Sequence, residues 1–252
     1  MTDMLPGRVA VISDIHGNSD ALRAVLADIA LQRVEALVNL GDHFSGPMDA
    51  GGTWEVLRDL DAVSIRGNHD RYLTTRAPDE MGQSDRAAHQ MLPGAALDWL
   101  RDLPPVLLMG DVFLCHATAG DDETYLSHLP IRDGGVTLRD PSGIAGLLTG
   151  VEAGLILFGH THLPVAMRLP DGRMLVNPGS VGCPGYNDSA PVPHVVHTGT
   201  PDACYAVIER VGPGWRVEHR HVPYDASRMA GAARAAGREG WARAVESGWY
   251  SE

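Results

Sequence analysis

The chain has 252 residues, 44% of them hydrophobic and 21% charged, and its 32 acidic against 20 basic side chains give a formal net charge of −12. That length allows one large α/β domain or two small ones, and the acidic balance argues against a general grip on nucleic-acid backbone, which needs clustered Lys and Arg. No run approaches the ~20 apolar residues of a membrane span, residues 1–7 lack the features of a signal peptide, and Cys115, Cys183 and Cys204 form no C-x-x-C pair, so a reducing cytoplasm fits.

Residues 8–13 (RVAVIS) read as a buried strand. Residues 19–31 follow with Leu22, Val25, Leu26, Ile29 and Ala30 at helical spacing, capped by Asn18 or Ser19. A strand is expected at 35–40, a helix at 54–60 and a third strand at 62–66. This repetition implies parallel strands joined by right-handed crossovers. Helices are expected at 84–91 and 95–102, ended by Pro104 and Pro105. Residues 106–109 and 112–115 suit a hairpin about Gly110 and Asp111. The polar stretch 118–135 reads as an active-site flap or surface loop. Residues 144–148 read as helical, 155–158 as a strand, and 165–169 with 174–176 as another hairpin. The proline-rich stretch 182–201 has no periodicity. A final antiparallel pair is expected at 204–209 and 215–221, then an Ala- and Arg-rich helix at about 224–245. No linker divides the chain, so residues 1–252 are expected to form one domain.

The polar residues gather just past the expected strands. Asp14 and His16 follow the first, Asp42 the second, Asn68 and His69 the third. His116 ends the first hairpin, and His160 and His162 follow the strand at 155–158. In an open α/β sheet such positions converge on one crevice. Each block alone has a plain structural reading, D-x-H as a cap and G-N-H-D as a tight turn, but their order and shared placement suit a metal centre. Carboxylate, imidazole and amide oxygen without thiolate favour Mn, Fe, Zn, Co or Ni over Ca or a structural zinc. Two ions about 3.5–4 Å apart need a bridging ligand, for which Asp42 is the natural candidate.

The ordered set Asp14-x-His16, Gly41-Asp42, Gly67-Asn68-His69-Asp70, His116 and Gly159-His160-x-His162 resembles the calcineurin-like metallophosphoesterase superfamily, and Asn177-Pro178-Gly179-Ser180 extends the likeness to its bacterial and archaeal branch of small phosphodiesterases related to diadenosine tetraphosphatases. The resemblance implies a four-layer sandwich of two mixed β-sheets flanked by helices, with two divalent metal ions at one edge. It implies that Asp14, His16 and His162 hold one ion, that Asn68, His116 and His160 hold the other, that Asp42 bridges them, and that His69 lies near the substrate. The protein phosphatases of the superfamily carry G-D-x-x-D-R-G, whereas this chain reads Gly41-Asp42-His43-Phe44-Ser45-Gly46. The change argues against that activity and leaves His69 without an assigned orienting partner.

The resulting expectation is hydrolysis of small nucleotide-like phosphodiesters by in-line attack of metal-activated water, with His69 as acid and Asn18 positioning phosphate or supporting the metal loop. The alternatives are a small-molecule phosphomonoesterase and a non-enzymatic metal-dependent scaffold. Arg66 is a weaker phosphate candidate. Cys115 is expected in the core, and His43 behind the site or exposed. Tyr186, His194 and His197 stand where a roof over the pocket could form, and the C-terminal arginines suit a solvated face. Oligomeric state is left open.

Overall fold

Along β1 (Arg8–Ile12) the side chains alternate, and Val9 to Ile12 are fully buried on both faces. Such a strand needs an apolar layer on each side. The computed structural model, which describes residues 4–131 and 134–251, supplies both. Val9 and Val11 point into a core shared with a second sheet, while Ala10 and Ile12 pack under helices.

The chain continues through α1 (Ser19–Ile29), β2 (Ala36–Asn39), α2 (Ala50–Leu57), β3 (Val63–Ser64), α3 (Asn68–Thr75), α4 (Gln83–Met91) and α5 (Gly94–Asp102). Next come β4 (Val106–Met109), β5 (Val112–Cys115), β6 (His128–Ile131), β7 (Gly135–Leu138), α6 (Pro141–Leu147), β8 (Leu155–Leu157), β9 (Val165–Arg168) and β10 (Met174–Asn177). The final part holds β11 (Gly185–Asp188), β12 (His194–His197), β13 (Ala203–Val211), β14 (Gly214–Val222), α7 (Ser227–Ala235) and α8 (Glu239–Ser247).

Two five-stranded sheets result, ordered β14-β13-β1-β2-β3 and β4-β5-β8-β10-β9. Strands β1, β2 and β3 are parallel, as are β5, β8 and β10, and antiparallel partners flank each trio. The sheets face each other across Val9, Val38, Ile65, Leu114, Leu157 and Val176. The first sheet is covered on its far side by α1, α2, α4 and α5, and the second by α6 through Ile144. This is the four-layer sandwich that the resemblance implied. The parallel trios aim their C-terminal ends at one edge, which is why the polar blocks meet there.

Several expectations need correction. Residues 68–75 form a helix rather than a closed turn, because Asp70 reaches back to the Gly67 N–H and caps it. The stretch 118–135 contains β6, which pairs with β7, and the proline-rich stretch contains the β11–β12 pair. The C-terminal helix is two helices, since Gly237 turns the chain with φ +72. The three cysteines are free and buried. No helix among the described residues is long and apolar enough to cross a membrane.

Candidate metal centre

Two groups of buried side chains gather at the sheet edge. Asp14, His16 and His162 form one, and Asp42, His116 and His160 the other, with ligand atoms within 4.8 Å of one another in each. Asp42 reaches both, because its Oδ2 lies 3.7 Å from His16 Nε2 and 3.3 Å from His116 Nε2. Asn68 opens α3 with its side chain buried beside them.

Each group is oriented from behind. The Nδ1 atoms of His16, His116 and His162 donate to the carbonyls of Ser45, Leu40 and Cys183 at 2.7, 2.8 and 2.6 Å. Those bonds turn each Nε2 inward, where it becomes the lone-pair donor a metal ligand needs once the ring has given up its second proton. His160 is reversed, with Nε2 donating to the Glu123 carbonyl. The two carboxylates are split in function. Asp14 Oδ2 accepts from the His160 backbone and Asp42 Oδ1 from the His69 backbone, which leaves the other oxygen of each free.

The fit to metal is testable from what these atoms lack. Asp14 Oδ1, Asn68 Oδ1 and His116 Nε2 are buried without a hydrogen-bond partner. Burying such atoms costs a few kcal/mol each unless something satisfies them. Three of them converging beside the Nε2 atoms of His16 and His162, themselves 3.1 Å apart, suits a pair of cations. The electrostatics agree. Burial opposes the Asp14 charge, yet His162 and His116 outweigh it and hold its carboxyl down to about 2. Burial likewise opposes the Asp42 charge, and His116 and His69 nonetheless hold it well below the usual range. Burial works against a proton on His116, but Asp42 outweighs it and carries that imidazole up to about 10. Burial and repulsion from His162 push His16 down to about 4.

The loops pay for this convergence in backbone strain. Among the described residues six non-glycines have a left-handed backbone, and five are Asp14, His16, Asp42, His160 and His162, with φ between 50 and 69. Such conformations cost roughly 1–2 kcal/mol each for a residue with a Cβ. Gly67 completes the turn because a Cβ there would collide with Asp42 Oδ1.

A cavity of about 580 Å³ opens over the two groups. His69 lines it, and its Nδ1 donates to Asp85 Oδ1 at 2.7 Å, so its Nε2 is the free nitrogen. Burial works against charge on His69, but Asp42 and Asp85 outweigh it and raise it to about 9. Tyr125 packs on His160 at 5.0 Å and Tyr186 on His162 at 4.6 Å between ring centroids. Their hydroxyls are 2.6 Å apart, and Tyr125 also lies 2.9 Å from His194 Nε2. With His194 Nδ1 bonded to the Val192 carbonyl, its Nε2 meets the Tyr125 hydroxyl, and the hydrogen-bonded chain links Tyr186, Tyr125 and His194.

All seven expected metal ligands and His69 thus meet at one edge. Asn18 does not join them. Its amide accepts from Ala21 N–H and donates to the Gly182 carbonyl and the Tyr224 hydroxyl, so it is fully used as a cap and a tie between loops. Arg66 does not line the cavity either. His43 is fully buried, with Nδ1 donating to Asp70 at 2.8 Å. Tyr186 lines the cavity and His194 stands behind Tyr125, while His197 packs on Trp249 away from it. Asp85, Tyr125, Arg139, Arg238 and Trp241 were not expected here. The only sequence signal for the last two was the arginine-rich C-terminal stretch.

The family model for calcineurin-like phosphoesterases matches residues 7–164. An uncharacterized protein of Methanocaldococcus jannaschii is 29% identical over 205 residues, covering 72% of this chain and 79% of its own. Among solved structures, a metallophosphoesterase from Sphaerobacter thermophilus superposes with a TM-score of 0.71 at 24% identity, covering 93% of this chain and 94% of its own. A hypothetical protein from Pyrococcus horikoshii does so at 0.75 and 19% identity, covering 97% and 99%.

Proposed function

The chain belongs to the calcineurin-like phosphoesterase family as a metal-dependent phosphoric ester hydrolase, and from that premise we propose that it cleaves small nucleotide-like phosphodiesters at a dinuclear centre. The observation that carries the reading is the double reach of Asp42 Oδ2, 3.7 Å from His16 and 3.3 Å from His116. In this reading Asp14, His16 and His162 would hold one divalent ion and Asn68, His116 and His160 the other, with Asp42 placed to serve both. Manganese, iron, zinc, cobalt and nickel all suit the donors.

When bound, the ions supply an activated water and neutralise charge on the phosphoryl oxygens. The chain's own residues do the rest. Asp85 fixes the His69 ring so that Nε2 faces the cavity with its proton. As water oxygen bonds to phosphorus and the bond to the leaving oxygen breaks, that proton passes to the leaving oxygen. Tyr125 and Tyr186 hold the rings of His160 and His162 from the cavity side. Asn18 supports the first loop.

The cavity supports a diester over a monoester. Its wall runs past the ligands to Leu129, Pro130 and Pro191, enough apolar surface for an ester group on each side of phosphorus. Metal analysis together with rates on bis(p-nitrophenyl) phosphate, p-nitrophenyl phosphate and a dinucleoside polyphosphate tests the reading. Two ions per chain and a diester preference are expected. A monoester preference sinks the diester assignment, and metal binding without turnover of any of the three leaves a scaffold.

A further inference from the structure

The C-terminal helical hairpin carries four arginines, and three of them face carboxylates. Arg228 pairs with Asp20 and Asp49, Arg234 with Glu239 and Glu246, and Arg243 with Glu239. The fourth, Arg238, turns the other way. It stands just before the first turn of α8, lines the cavity and is half-buried there. Its Nη1 donates to Ser84 Oγ at 3.1 Å, and its guanidinium lies 5.8 Å from the Trp241 ring. Among the described residues no carboxylate pairs with it, so most of its five N–H donors remain for a ligand.

Its position says which part of a ligand it meets. Ser84 precedes Asp85, the residue that holds His69. Arg238 therefore stands on the wall of the acid that serves the leaving oxygen. A guanidinium fork matches two oxygens of a phosphate in one plane. The protein carries twelve negative charges in excess. An unpaired cation kept inside its cavity is thus a selective feature.

We propose that Arg238 anchors a second phosphate on the leaving-group side of the substrate, so that the preferred substrates are diesters whose departing half is itself phosphorylated. This rests on the diesterase reading and on His69 as the acid. The test uses the manganese-loaded protein with three dinucleotides, ApA, its 5′-phosphorylated form pApA and its 3′-phosphorylated form ApAp. Dissociation constants come from calorimetry and kcat and KM from product analysis. One phosphorylated form is expected to bind about ten- to a hundredfold more tightly than ApA, the range of one charge-assisted contact. Arg238→Gln, which keeps a donor for Ser84 but loses the charge, is expected to erase most of that preference through KM, and Arg238→Lys to restore part of it. Equal affinity of the wild-type protein for all three overturns the proposal, as does an Arg238→Gln variant that keeps the preference. Turnover of bis(p-nitrophenyl) phosphate is measured alongside. Its absence counts against the diesterase reading, while the binding preference still decides the role of Arg238.

Discussion

His69 donates from Nδ1 to Asp85 Oδ1, sixteen residues further along the chain, at 2.7 Å, and Ser45 donates its hydroxyl to the same oxygen at the same distance. The first residue lies in the first turn of α3 and Asp85 in the first turn of α4, so the packing of α3 against α4 sets the ring of the proposed acid. The missing second aspartate of the G-D-x-x-D-R-G pattern has a counterpart here from another part of the chain.

Asp85→Asn removes a charge that helps hold the proton on His69. Burial lowers the His69 pKa, and Asp42 and Asp85 together raise it to about 9. Because the raised value keeps the acid form to higher pH, losing Asp85 moves the basic limb of kcat/KM to lower pH. The rate on alkoxide leaving groups is expected to fall about ten- to a hundredfold, within the range of general acid catalysis. Metal content stays the same. A pH profile that superposes on the wild type removes Asp85 from this role.

Asp42→Asn and His69→Ala separate the metal centre from the acid. The first is expected to lose metal and all activity, because Asp42 Oδ2, which faces both groups, no longer carries charge. The second keeps its metal and loses more rate on alkoxide than on nitrophenolate esters. Equal losses on both leaving groups would rule out the acid role.

Metal binding should release protons. Burial opposes protonation of His116 and His162, but Asp42 and Asp14 outweigh it, raising His116 to about 10 and His162 well above its ordinary value. An ion must displace those protons before it can use the two Nε2 atoms. The apparent affinity therefore weakens as pH falls from about 8 to about 6, up to tenfold per unit for each proton displaced. Calorimetry in buffers of different ionisation enthalpy counts the protons directly. A pH-independent affinity contradicts this account.

Position 160 offers a test of backbone strain. His160 has φ 69 and is only half-buried. His160→Ala keeps the left-handed strain, whereas His160→Gly relieves it. In the metal-free protein the glycine variant should be the more stable by about 1 kcal/mol in urea unfolding. At an unstrained position within a helix or strand the order would reverse, since glycine there costs roughly 0.5–1 kcal/mol relative to alanine.

Asp14, His16, Asp42, Asn68, His116, His160 and His162 were legible in the sequence because parallel strands deliver their C-terminal ends to one place, so position after a strand already implies proximity. Asp85, Tyr125 and Arg238 had no such marker. They arrive on α4, on the stretch before β6 and at the turn into α8, and only long-range packing brings Asp85 to His69 and the other two to the cavity. Helix α3 was missed because Leu73 is its only buried aliphatic residue, too little for a period. The β11–β12 pair was hidden by short strands between prolines. Asn18 misled because its place in the first metal block suggested chemistry, while its amide serves the start of α1.

Asp70 supplies no expected ligand, yet it gathers the Asp42, His43 and Gly67 backbone N–H groups and the His43 ring on its two oxygens. Through that one carboxylate the loop bearing Asp42 and the helix start bearing Asn68 and His69 behave as a single rigid jaw. A jaw of fixed gape cannot relax around an oversized ion. With ions held by the two groups, this stiffness is expected to favour small transition ions over calcium, whose longer bonds demand a wider cage, through a residue outside both groups.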